Sequence, residues 1–248
     1  MPNGFDDKPL LPTVEAMAEE NVRELVALQP QGPYLLGGYC NGGQVAYEMA
    51  RQMEQQGLEV GLVILLDAAV PLHIGWLKAL TRFAGWLAKL DGGEQINLYA
   101  RLREYVVRAP SAYRKGLRTF LTLGLRTART DLLRLLGTPP EALGIPGPAF
   151  DDPERRLRDV RFRGILMNYR PKPYPGRVVL LRTRSLQGSY PSDRTAGWGK
   201  LAAQIEVHEL PGNHATCQTE HVGVVAEHIG RCLHDFHAEA QRALAERK

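Results

Sequence analysis

Tyr34-Leu35-Leu36-Gly37-Gly38-Tyr39-Cys40-Asn41-Gly42-Gly43-Gln44 is the stretch on which the fold of this chain turns. Tyr34 to Gly38 reads as a short buried strand ending in paired glycines. From Gln44 to Gln55 the pattern becomes helical. Val45 and Met49 share one face, as do Ala46, Ala50 and Met53, and Gly57 is a natural stop. Cys40 therefore sits at the sharp turn between a strand and a helix. A turn of this kind leaves no room for side chains beside its central residue, which accounts for glycine at 38 and 42. Cys40 is left exposed at a helix start, where the helix dipole favours an anion such as a thiolate. The Asn41 backbone N–H points to where an oxyanion would form. The competing reading is a glycine-rich turn around an inert buried cysteine, but that reading gives no reason for the strand–turn–helix setting.

The pattern extends in both directions. Thr13 can cap a helix to Leu28, carried by Val14, Met17, Val22, Leu25 and Val26. Val60 to Leu66 is a continuous branched apolar run, the mark of a strand buried on both faces of a parallel sheet. Trp76 to Leu136 is helix-rich and basic, punctuated by Gly92-Gly93 and Pro110, and Pro139 to Pro153 reads as a loop. Glu154 to Tyr169 returns to a helix, Pro171 to Gly176 reads as a turn, and Arg177 to Arg182 and Ile205 to Leu210 as strands. Val222 to Phe236 is a terminal helix. There is no internal repeat. Strands alternating with helices predict an α/β protein with a parallel sheet and flanking helices, interrupted by a helical insertion at about 74–152.

A nucleophile needs a base, and the base needs an orienting group. Of seven histidines, His214 stands in a loop after the last predicted strand, behind Pro211-Gly212-Asn213. In this class of fold such loops face the site. His208 lies within a strand and reads as a sheet residue. His221, His228, His234 and His237 lie in or beside the terminal helix and read as a solvated face. The i,i+4 spacing of His228 and Cys232 suggests a metal site as the alternative, but the solvated face is the better reading and no metal is expected. Asp67 ends the Val60–Leu66 strand, where a carboxylate is costly without a partner and His214 would supply one. Its alternative role is to cap the turn over Ala68–Pro71.

Composition narrows the class. The chain is 44% hydrophobic and 23% charged, as expected of a globular protein. Met1 to Pro9 holds no apolar signal segment, and no run is long enough to span a membrane. Three cysteines make no disulfide framework, and a reducing cytoplasm is the expected setting. The net charge is +4, but Lys and Arg far outnumber Asp and Glu between Trp76 and Leu136. That excess reads either as a solvated helix face or as a docking surface for an acidic partner. Nucleic acid is not expected, since no stacking aromatics or known module accompany the charges.

The motifs together resemble the type I thioesterase domains that end nonribosomal peptide and polyketide synthases, and their stand-alone relatives. Gln29 to Ala50 is similar to that family's nucleophile strand and helix, and Leu65-Leu66-Asp67 to its acid position. Asp67 follows Cys40 by 27 residues, the length of a short strand–helix–strand unit. Tyr169 to Leu181 resembles the strand after the lid. Gly197-Trp198-Gly199, followed by Val207 to His214, resembles the approach to the catalytic histidine. The resemblance implies one α/β-hydrolase-type domain over residues 1–248, with the insertion at about 74–152 as its mobile helical lid. It implies a Cys40–His214–Asp67 triad acting on an acyl or peptidyl chain carried on phosphopantetheine. The implied partner is a carrier protein or upstream synthase module, and no dissociable cofactor is needed.

Two departures stand out. The family usually has serine where this chain has Cys40, so the acyl-enzyme would be a thioester, formed nearly isoenergetically and still activated toward an amine or internal hydroxyl. The resemblance also begins at about Gly4, so the family's preceding strands are missing from it. Those strands would flank Tyr34–Gly38 and bring the second oxyanion donor. Losing such a donor typically costs about 10²–10³ in turnover. The expectation is that the protein extends upstream of Met1 by at least two strands. Two other readings are a cysteine hydrolase of small esters or lactones, and an impaired remnant that still binds a carrier.

Overall fold

The computed structural model describes residues 11–90, 92–114, 153–184, 186 and 193–246. The expected loop at 139–152 and the basic residues between 115 and 136 lie outside them. The described residues divide into two compact units, one within 72–90, 92–114 and 153–168, the other within 11–71, 169–184, 186 and 193–246.

The second unit holds the sheet. Its elements are α1 (Val14–Leu28), β1 (Tyr34–Tyr39), α2 (Asn41–Gln55), β2 (Val60–Leu66), β3 (Tyr174–Thr183), β4 (Ala202–Leu210) and α6 (Val222–Glu246). The strands are all parallel, in the order β1-β2-β3-β4. The apolar run at Val60–Leu66 is buried on both faces for the predicted reason. Val63 and Leu65 pack with Tyr47, Ala50 and Met53 of α2 on one side. Leu62 and Ile64 pack with Val225 and Cys232 of α6 on the other. Thr13 caps α1 through its hydroxyl, which accepts from the Ala16 N–H at 3.1 Å.

Several boundaries differ from the sequence reading, and β4 begins at Ala202 rather than Ile205. α2 starts at Asn41 rather than Gln44, so the glycines of the turn form its first helical turn. Pro175 and Gly176 belong to β3 rather than to a turn. The register shift between Tyr174 and Arg177 sets them opposite one β4 residue, a bulge that spares Pro175 a ladder hydrogen bond. α6 runs on to Glu246, past the apolar pattern that ends at Phe236.

Among the described residues β1 has a neighbour, β2, on one side only. A cavity of about 330 Å³ opens along it, lined by Leu35, Gly37, Tyr39, Ile64, Ile229 and Leu233 among others.

The first unit contains α3 (Gly75–Leu87), α4 (Gly92–Arg114) and α5 (Pro153–Asn168). Pro110 lies within α4 and does not end it. α3 and α4 approach closely at Gly85, where an added Cβ would stand 2.5 Å from the Gln95 side chain. The Tyr99 hydroxyl accepts from the Ile74 N–H at 3.2 Å and donates to the Leu72 carbonyl at 3.3 Å, fixing the entry into α3. Among the described residues no helix is long and apolar enough to cross a membrane.

Candidate active site

Cys40 occupies the turn between β1 and α2 with φ 54° and ψ −120°, a strained conformation for a residue with a side chain. The sheet enforces it. The Cys40 N–H donates to the Leu66 carbonyl at 2.9 Å, and the Cys40 carbonyl accepts from the Gly43 N–H at 3.2 Å. Gly38 is obligatory, because a Cβ there would lie 2.2 Å from the Gly42 carbonyl oxygen. Gly42 is not required in the same way, since a Cβ at 42 would meet nothing within 4 Å. The second sterically required glycine is Gly43, whose Cβ would fall 2.5 Å from that of Ala68. The turn is tight between Gly38 and the backbone of Gly42, not around a side-chain position at 42. Asn41 opens α2, so its N–H is among the four at a helix N-terminus that have no intrahelical acceptor.

Asp67 follows β2 directly, at φ 48°, a left-handed conformation that aspartate tolerates better than most residues. The residue is 4% exposed. One carboxylate oxygen, Oδ1, accepts from the Thr183 N–H at 2.7 Å and the Thr183 hydroxyl at 2.8 Å. The other, Oδ2, lies 2.6 Å from Nδ1 of His214. Burial alone would raise the Asp67 carboxyl, but the bonds from His214 and Thr183 outweigh it and hold it below the ordinary carboxylate value.

His214 stands in the loop after β4. Gly212 takes φ 75° there, and a Cβ on it would strike His221 and Thr216. The Asn213 side chain accepts from the Ala215 and Thr216 N–H groups at 3.0 and 3.1 Å, closing a compact turn around the histidine. The imidazole is raised from its ordinary 6.5 to about 10, by its hydrogen bond with Asp67 and then by its hydrogen bond with Cys40, against the opposing effect of burial. Cys40, His214 and Asp67, drawn from three separate loops at the carboxyl ends of β1, β4 and β2, are thus joined in one hydrogen-bonded chain.

Of the other histidines, His221, expected on a solvated face, packs against Gly212 in the loop that carries His214. His208 is in β4, with Nε2 2.8 Å from a Glu206 oxygen, and its ring lies near that of His228. Among the described residues no group of three or more His, Cys, Asp or Glu side chains is placed to hold a metal.

Two contributors escaped the sequence reading. Thr183 is the last residue of β3. Its only sequence signal is a polar residue ending an apolar strand, and its link to Asp67 depends on the β2–β3 register. Tyr39 touches His214 directly. The rings stack with centroids 4.7 Å apart and planes 21° from parallel, and the Tyr39 hydroxyl donates to the His214 carbonyl. Its signal was an aromatic beside the cysteine.

A parallel sheet covered on both faces, with a tight strand–helix turn at the end of β1, matches the α/β-hydrolase type of fold. Within that class the chain is similar to thioesterase domains, including those of nonribosomal peptide and polyketide synthases. Residues 2–92 match the family model of the thioesterase domain. The solved thioesterase domain NocB from the nocardicin cluster is similar, with TM-score 0.54 and 25% identity over 94% of this chain and 78% of that one. A dimodular nonribosomal peptide synthase of Bacillus subtilis is 24% identical over 88% of this chain, which covers 8% of that protein. The inactive atromentin synthetase of Paxillus involutus is 32% identical over 40% of this chain, which covers 11% of that protein. The chain therefore spans about a tenth of the length of these curated relatives.

Proposed function

We propose that this chain releases an acyl or peptidyl group from the phosphopantetheine thioester of a carrier protein, by way of an acyl thioester on Cys40. The observation that carries this reading is the hydrogen-bonded chain Cys40–His214–Asp67, resting on a strained cysteine at a helix start.

In the first step His214 takes the Cys40 S–H proton as the sulfur attacks the thioester carbonyl carbon. The carbonyl π pair moves to oxygen, and the Asn41 N–H donates to that oxyanion. The tetrahedral species collapses with cleavage of the bond to the pantetheine sulfur. His214, now imidazolium, gives that proton to the departing thiolate, and its raised affinity for a proton supports the ion formed. Asp67 holds Nδ1, so that the other ring nitrogen faces the sulfur. One thioester is exchanged for another, which keeps the acyl group activated. In the second step neutral His214 takes a proton from water or from a nucleophile within the substrate. That oxygen or nitrogen attacks the acyl carbon, and the proton returns to the Cys40 sulfur as it leaves.

The experiment compares three substrates by thiol or acid release: an acyl chain on a carrier protein, the same chain on free pantetheine, and a simple lactone. The reading expects turnover of both thioesters, none by Cys40→Ala, and little by the lactone. It expects the carrier-bound substrate to be faster, with the advantage shrinking as salt rises, because Lys78, Arg82, Lys89 and Arg103 add to a basic insertion. A preference for the lactone would make the protein an ester or lactone hydrolase instead.

A further inference from the structure

Tyr39 has no part in the chemistry above, yet it contacts the candidate base in two ways. Its side chain points to the α6 face of the sheet, against the cluster that includes Leu62, Ile64 and Cys217. From there its ring lies flat on the His214 imidazole, and its hydroxyl donates to the carbonyl of the same residue. His214 needs such support. Its side chain is 44% exposed, and Asp67 holds it at one ring atom only, Nδ1. Hydrogen bonds at the ring nitrogens, to Asp67 and to Cys40, still allow the ring plane to tilt about the line joining them. A stacked aromatic face removes that rotation. The tether to the backbone carbonyl, which the Cys217 S–H also approaches at 3.2 Å, fixes the point from which the side chain hangs. The tether is also stable to pH, because burial and the negative charges near the phenol push Tyr39 up to about 12 and keep it a donor.

We propose that Tyr39 is the positioning residue of His214, setting its ring plane by stacking and its backbone by the hydroxyl tether, so that the imidazole meets Cys40. This rests on the triad reading for its consequence in catalysis, but not for its test. Tyr39 touches neither substrate nor reacting atoms in this role. It acts only through His214.

The test is the rate of Cys40 alkylation by iodoacetamide at neutral pH, followed by peptide mass spectrometry, alongside acylation by a pantetheine thioester. Tyr39→Leu, with its fold checked by melting, is expected to slow alkylation roughly 30–100-fold, toward the rate of His214→Ala. Tyr39→Phe keeps the stack and loses only the tether, so it is expected to be about 3–10-fold slower. In both variants the half-saturating thioester concentration stays unchanged while the maximal acylation rate falls. In a His214→Ala background Tyr39→Leu is expected to add nothing, because its partner is gone. Wild-type rates in Tyr39→Leu, or a further loss in the His214→Ala background, would overturn the proposal. Should Tyr39→Leu not fold, Tyr39→Phe decides, and a wild-type rate there overturns it. If the wild-type protein is alkylated but never acylated, the thioesterase reading fails while the Tyr39 result still stands on alkylation alone.

Discussion

Thr183 gives both of its donors to one oxygen of Asp67, the N–H at 2.7 Å and the hydroxyl at 2.8 Å, and so leaves the other oxygen to His214. β3 thus orients a carboxylate that β2 delivers. Thr183 is fully buried. Thr183→Val keeps the shape and the N–H bond but removes the hydroxyl. Because the acceptor is charged, the expected loss is about 1–3 kcal/mol of stability. Acylation should slow by roughly 3–10-fold, since Asp67 keeps one of its two bonds from Thr183 as well as that to His214. Asp67→Asn should cost far more in rate, roughly 10²–10⁴, with the fold retained, because it favours the wrong imidazole tautomer. Chemical denaturation and stopped-flow acylation separate the two effects. A rate unchanged by Asp67→Asn would reduce Asp67 to a turn residue.

The His214–Asp67 pair makes stability depend on pH in a set direction. His214 is raised from 6.5 to about 10, by the bond to Asp67 first and the bond to Cys40 second. A raised basic group stabilises the fold fully below its unfolded value, and that contribution is lost as pH rises through the folded one. Asp67 is held below its ordinary value, so its contribution is present above that value and is lost as pH falls through the lower folded one. His214 is partly exposed, and solvent reduces the size of the effect. The gap in melting temperature between wild type and His214→Gln should be widest between about pH 4 and 6.5, and should close from there toward about pH 10. A gap constant across that range would contradict the assignment.

The glycines of the turn are expected to respond unequally. Gly38→Ala places a Cβ 2.2 Å from the Gly42 carbonyl oxygen and should abolish Cys40 acylation and folding together. Gly42→Ala meets open space on the first turn of α2. It should leave the melting temperature unchanged or raise it, by up to about 1 kcal/mol of helix preference. Circular dichroism melts of the two variants decide the matter, and equal damage would contradict the geometry.

Much of this was legible in the chain, and the limits have physical causes. Val60–Leu66 was readable because burial on both faces erases alternation and leaves a run that little else produces. Asp67 and His214 were readable because polar residues in the loops that follow strands fall at the sheet's carboxyl edge. Thr183 and Tyr39 were not, because their contacts depend on which strands pair and which face each side chain takes. Gly42 was misread for a related reason. A glycine motif marks a tight turn without saying which Cβ meets an obstacle, and Ala68, the obstacle to Gly43, is 25 residues away in sequence. Pro175 looked like a turn because a bulge can hold a proline inside a strand. The far end of α6 escaped because beyond Phe236 it offers no apolar stripe to read.

The central claim is that Cys40 is the residue acylated, and one measurement tests it most directly. The protein is mixed with an acyl-pantetheine thioester, quenched in acid within the first turnover, and analysed intact and as peptides by mass spectrometry. The account predicts a single adduct of the acyl mass on the peptide holding Cys40, absent in Cys40→Ala and nearly absent in His214→Ala. An adduct on Cys217 or Cys232 instead, or pantetheine release with Cys40 unmodified and Cys40→Ala still active, would contradict it.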